Sequence, residues 1–180
     1  MEVKILNEFG YEEAMLGLSL SYGINISKTR EIAEGLCNKD HGHNKFLEMI
    51  DVWLDITAPR YWWQEADTYR LSTKQSESTM HTIHKRHLTQ DDFETEINPE
   101  LINLVNRNID TYNRTKSSLD FLRLKINMPE GLLQRRIWKL SYKNLREILI
   151  QRSNHRLPEW REIFCPYILN NVEHPELLIK

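Results

Sequence analysis

The chain has 180 residues, with 24 Lys and Arg against 26 Asp and Glu, and a formal net charge of −2 with histidine neutral. Its 40% hydrophobic and 28% charged residues supply enough apolar material for a buried core, which excludes disordered and fibrous classes. The near balance of charge excludes a broad basic face for a long nucleic acid, whereas a few local Arg or Lys side chains suffice to hold one phosphate.

One domain over residues 1–180 is expected from the length, since no linker or internal repeat divides the chain. No run of about eighteen apolar residues occurs, so no membrane-spanning helix is expected. Acidic residues stand near the start where an export signal is basic. Two cysteines, Cys37 and Cys165, are too few for a disulfide scaffold and read as small buried hydrophobes, so a cytoplasmic setting is expected.

In chain order, Val3 and Ile5 alternate in a first strand through Phe9, and a helix follows over Tyr11–Leu20. A second helix is expected from Ser27, as N-cap, to Leu36, closing near Gly35. Residues 39–44 are turn-rich. Phe46 to Thr57 then alternates Ile50, Val52, Leu54 and Ile56 with Asp51, Trp53 and Asp55, the pattern of a half-buried strand. Pro59 suits the first turn of a short helix through Trp62, Trp63 and Ala66. Arg70 to Ser78 reads as a loop or irregular strand, and His81 to Glu96 has no clear periodicity.

From Pro99, apolar residues recur every three or four positions through Leu101, Val105, Ile109, Tyr112, Leu119 and Leu122, which predicts one long helix ending before Met128-Pro129. A second periodic run covers Leu132, Ile137, Leu140, Leu145 and Leu149, and a third follows Pro158. The expected class is therefore α+β: a strand-containing part over about residues 1–96 and a helical part over about 97–180.

His81, His84 and His87 stand three apart, and His41 and His43 flank Gly42, but Lys85 and Arg86 among the first group disfavour a cation, so no metal is expected. Trp62 and Trp63, with Tyr61 and Tyr69, offer rings that could stack on a base or a flavin, or read as core. No glycine-rich phosphate loop or nucleophile elbow occurs. The polar stretch Arg70, Thr73, Gln75, Ser76 and Ser78 offers a guanidinium, an amide and hydroxyls that suit a phosphate or a pyrimidine edge, or a solvated turn.

At this point the sequence resembles the flavin-dependent thymidylate synthases. Their core has a Gly-His element and a Glu before a strand, then a signature RHRxxSxNExSxRY. Here Gly42-His43 and Glu48 precede the strand to Thr57, and residues 68–81 lie over the signature without a gap. The second arginine falls on Arg70, the first serine on Thr73, the asparagine on Gln75, the glutamate on Ser76 and the later serine on Ser78. Farther on, Lys125 precedes Met128-Pro129 as a basic residue precedes Leu-Pro in the family, and Arg152, after a helix over Ser141–Ile150, falls on the nucleotide-gripping arginine.

The departures are Thr68 and Tyr69 for the first Arg and His of the signature, Met80-His81 for its last Arg-Tyr, and Ser141-Tyr142-Lys143 for a flavin-facing Asn-x-Arg. Leu157-Pro158-Glu159-Trp160 stands for an Ala-Gln-x-Glu element. The resemblance implies a small antiparallel sheet with long helices. It also implies a homotetramer with sites between subunits, and transfer of a one-carbon unit to deoxyuridine monophosphate (dUMP) using FAD and a folate.

By that resemblance, Arg152 anchors and polarises the nucleotide, with Lys125, Ser78, Ser76 and Gln75 binding it, while His43, Glu48 and Arg70 meet the flavin. Two outcomes stay open: an enzyme of this methyltransferase type, or a non-catalytic homologue that binds a nucleotide or a protein partner after losing the flavin site.

Overall fold

The computed structural model describes residues 1–39 and 42–179. Four strands, β1 (Glu2–Phe9), β2 (Asp51–Pro59), β3 (Thr73–Ser76) and β4 (Leu133–Ser141), form one antiparallel sheet in the order β1-β2-β4-β3. The helices are α1 (Tyr11–Tyr22), α2 (Thr29–Leu36), α3 (Arg60–Ala66), α4 (Thr79–Thr82), α5 (Pro99–Thr115), α6 (Ser118–Ile126), α7 (Tyr142–Arg152) and α8 (Cys165–Asn171). No helix among the described residues is long and apolar enough to cross a membrane.

The chain forms two compact units. The larger comprises residues 2–56, 69–75 and 137–180, and the other residue 1 with 57–68 and 76–136. In the larger unit, Val52, Leu54 and Ile56 of β2 are fully buried while Trp53 between them is 41% exposed, so the period-two pattern puts one face into the core. Trp138 and Leu140 of β4 are likewise fully buried. Helix α1 packs on α2 and on the 3₁₀ turn Lys45–Glu48, which also meets α7.

Entry into α1 turns on Gly10. Its φ is +90°, and a Cβ there would lie 2.2 Å from the carbonyl oxygen of Met49. Only glycine satisfies both the left-handed backbone and that close approach.

In the other unit, α5 and α6 pack together, and Ile83, Leu88, Phe93, Val105, Ile109 and Leu124 belong to one apolar cluster with Met128 and Leu132. Trp62 and Trp63 meet edge to face with ring centroids 4.9 Å apart. Trp63 Nε1 donates to the carbonyl of Gln134 at 2.8 Å, and the Arg136 guanidinium lies 4.5 Å over the same indole.

Four sequence expectations are corrected. Phe46–Glu48 belongs to the 3₁₀ turn rather than the strand, which starts at Asp51. The cap expected from Ser27 comes instead from Asn25, whose side chain accepts from the Ser27 N–H at the head of a 3₁₀ turn, while α2 starts at Thr29 and Gly35 lies inside it. The long helix is two. Lys116 adopts φ 52° and closes α5 on the Tyr112 carbonyl, and Ser117 then caps α6. Leu119 and Leu122, which continue the stripe in the sequence, are 54% and 53% exposed.

The fourth correction concerns the run from Leu132, whose first part is strand β4. That removes the division into a stranded first half and a helical second half. The Glu77 N–H donates to the Arg135 carbonyl at 2.9 Å, and β4 pairs between β2 and β3, so non-local pairing outweighs the local spacing. His41 lies outside the described residues.

Candidate functional site

In the larger unit the chemistry gathers at the end of α7. Arg152 is a last-turn cation, the position that the helix dipole favours. Its Nε donates to Tyr69 Oη at 2.8 Å, and its Nη1 donates to His155 Nε2 at 2.8 Å. The guanidinium carbon lies 5.5 Å from the Tyr69 ring centroid and 5.4 Å from that of Trp160, within cation–π reach of both. Tyr69 passes its own proton on, donating to Gln151 Oε1 at 3.0 Å.

The buried Trp160 comes from a π-helical turn over Glu159–Phe164, a geometry that local sequence patterns do not announce. Cys165, just beyond, is buried. That burial pushes its thiol pKa up to about 12 against a smaller downward pull from Arg152, so the thiol is inert as a nucleophile near neutral pH.

Arg70, which the resemblance sets toward the flavin, is exposed, and within the chain Arg152 meets Tyr69, one position earlier. Gln75 is exposed on β3, while the neighbouring Lys74 lies 4.6 Å over the Trp138 ring. Tyr69 was legible in the sequence as one aromatic of a group with Trp62 and Trp63 and as a departure from the resemblance. Its engagement with Arg152 needed the fold.

His43 and Glu48 share a cavity of about 570 Å³ between α1 and the Lys45–Glu48 turn. Leu18, Leu36 and Phe46 make an apolar floor, with His43, Lys45 and Glu48 at the rim. Glu48 forms an ion pair with Lys143, the residue that stands where the resemblance puts a flavin-facing arginine.

In the other unit, Lys125 Nζ lies 2.5 Å from Thr79 Oγ1, next to Ser78, which precedes α4 as its N-cap residue. Burial, and secondarily the charge of Arg60, lower the Lys125 pKa below the ordinary lysine value. A cavity of about 370 Å³ brings Glu77, Thr79, Lys85, Arg86 and Arg135 together. Thr79, Arg60 and Arg135 were not singled out in the sequence. Arg135 belongs to β4, whose strand character was itself hidden. Ser76 closes β3 and is half-buried.

Two of the three spaced histidines have ordinary partners: His84 meets Tyr112 edge to face at 5.2 Å, and His87 bonds Asp110 at 2.8 Å.

An α+β chain with this strand order and helix set has the fold of the flavin-dependent thymidylate synthases. The structure of flavin-dependent thymidylate synthase ThyX from Helicobacter pylori, complexed with FAD and dUMP, matches with a TM-score of 0.80 over 99% of this chain and 98% of that one, at 15% identity. A second structure of Helicobacter pylori ThyX with FAD and dUMP matches with a TM-score of 0.81 over 99% and 97% of the two chains, also at 15% identity. No family model matches the sequence. No curated protein matches it either. The likeness is thus one of fold, carried by backbone arrangement rather than by shared residues.

Proposed function

We propose that the protein is a flavin-dependent thymidylate synthase-like enzyme that binds a deoxyuridine nucleotide and transfers a one-carbon unit to it. The observation that supports this is the fold correspondence over nearly the whole of both chains with proteins crystallised with FAD and dUMP. In this reading Arg152, Lys125, Ser78, Ser76 and Gln75 bind the nucleotide in a homotetramer, and Arg152 also polarises it. Held below its ordinary pKa by burial and by Arg60, Lys125 gains most from a dianion, which offsets both effects.

The cavity holding His43 and Glu48 suits FAD: its apolar floor fits a flat ring, and Lys45 and His43 supply donors for polar or anionic edges. His43, Glu48 and Arg70 would hold the group. When bound, reduced flavin supplies the hydride and a folate the carbon. The chain's own residues bind, orient and neutralise charge, and neither buried cysteine is required.

One observation favours a second reading, a nucleotide binder without flavin. The signature's first Arg and His are Thr68 and Tyr69, and Tyr69, only 9% exposed, is engaged by Arg152 and Gln151. The discriminating experiment is purification followed by absorbance, FAD addition and thermal unfolding with dUMP. A yellow protein that methylates dUMP with a folate donor supports the enzyme. A colourless protein that takes up no FAD yet gains melting temperature with dUMP supports the binder. Indifference to both ligands overturns both readings.

A further inference from the structure

Neutral imidazole has one lone pair in the ring plane, and an imidazolium has none. Two N–H donors nevertheless face the His155 ring: Arg152 Nη1 stands 2.8 Å from Nε2, and the Leu157 N–H stands 3.2 Å from Nδ1. An arginine cannot accept a hydrogen bond, so the contact at Nε2 is sound only when that nitrogen carries the lone pair.

We propose that His155 is a positioning residue for Arg152. Its Nε2 accepts from Nη1 while Tyr69 Oη accepts from Nε, and the two contacts fix the guanidinium plane beside the rings of Tyr69 and Trp160. The proposal rests on the reading of Arg152 as the nucleotide-binding cation. A fixed guanidinium meets an anion without losing side-chain freedom at that moment, which is the advantage of preorganisation.

Protonation of the imidazole removes the acceptor and sets a cation against Arg152, so the same contact couples anion binding to acidity. The charged and titratable groups around the ring include Arg152, Tyr69, Arg156, Glu159, Arg161, Glu162 and Cys165, of which Arg161 and Glu162 pair with each other. Arg161 Nη1 donates to the His155 carbonyl at 3.1 Å and fixes the backbone under the ring.

The test uses the full chain labelled with ¹⁵N, the Arg152 Nε–Hε resonance being assigned through Arg152→Lys. In the unmodified protein that resonance should move with protonation of the His155 ring, followed at its own C2–H. An Arg152 signal that stays fixed while the ring titrates overturns the proposal, and this readout needs no variant to fold. In parallel, dUMP affinity should fall about tenfold in His155→Ala and recover in His155→Gln, whose side-chain carbonyl is again an acceptor, as expected for a bond to a charged group.

Equal loss in both variants overturns positioning, as does no loss in either. If dUMP binding is abolished by Arg152→Ala but indifferent to position 155, the nucleotide reading survives and the positioning role fails. If the unmodified protein ignores dUMP while the Arg152 resonance still follows the ring, positioning stands and the nucleotide reading fails.

Discussion

The phenol of Tyr142, at the first residue of α7, donates its hydrogen bond to the carboxylate of Glu8 in β1 and accepts one at 3.2 Å from the backbone N–H of His174. Glu8 also accepts from the Glu173 N–H at 3.1 Å, and the His174 ring stacks on Tyr11 at 3.6 Å. Three stretches remote in sequence are thus tied at one partly buried carboxylate.

Burial outweighs these hydrogen bonds and raises the Glu8 pKa above its ordinary 4.5, whereas the Tyr142 phenol is raised by burial and then by Glu8. Because the folded value is raised, the contribution of Glu8 to stability is fully present below about pH 4.5 and is lost as pH rises through the native value. Glu8→Gln removes the titration and keeps an acceptor. The variant should therefore gain on the parent protein between about pH 4.5 and neutrality, read as a rising difference in urea midpoint. A difference that is flat in pH counts against the assignment.

Tyr69→Phe deletes one hydroxyl that serves both Arg152 and Gln151 in a residue 9% exposed. Leaving partners of a part-buried hydroxyl unmatched costs about 1–3 kcal/mol. The denaturant midpoint should drop accordingly with an unchanged slope, and dUMP-dependent stabilisation should weaken with it. A variant as stable as its parent would show that solvent replaces the phenol without cost.

Asp92 shows the opposite sign to Glu8. Its hydrogen bond from Arg86 holds the carboxyl below the ordinary 3.8, helped by the Thr89 backbone N–H at the head of a 3₁₀ turn. The stabilising contribution is therefore present above about pH 3.8 and lost as pH falls through the native value. Asp92→Asn should be less stable than the parent at neutral pH, and the two should converge in acid. High salt should narrow the gap, since Arg86 is largely exposed.

Two glycines with positive φ give a paired test. Gly10→Ala meets both the left-handed backbone and the Met49 carbonyl 2.2 Å from the new Cβ, whereas Gly23, at φ +61°, has nothing within 4 Å. Gly23→Ala should cost about 1–2 kcal/mol from backbone conformation alone. Gly10→Ala should cost clearly more, because the obstacle is backbone rather than the movable end of a side chain. Thermal unfolding of the two variants side by side checks the order, and equal melting temperatures would contradict it.

Local pattern sufficed where an element's own residues carry its burial. The alternation of Val52, Leu54 and Ile56 marked β2, Pro59 marked the start of α3, and Tyr11 onward marked α1, because period and capping are properties of a few neighbouring residues. The resemblance marked Arg152, Lys125, His43 and Glu48 as candidate site residues, through motif residues at fixed separations along the chain.

Tertiary structure decided the rest. Strand β4 exists because β2 and β3 offer backbone partners to residues 133–141, and a spacing that fits a helix yields to those hydrogen bonds. The break at Lys116 sets α5 and α6 against each other so that Val105, Ile109 and Leu124 join one cluster, although the apolar rhythm runs on unbroken. Which side chains face Arg152 followed from the packing of a π-helical turn and of the segment before β3, and hydrogen-bond partners dozens of residues apart leave no periodic trace in the sequence.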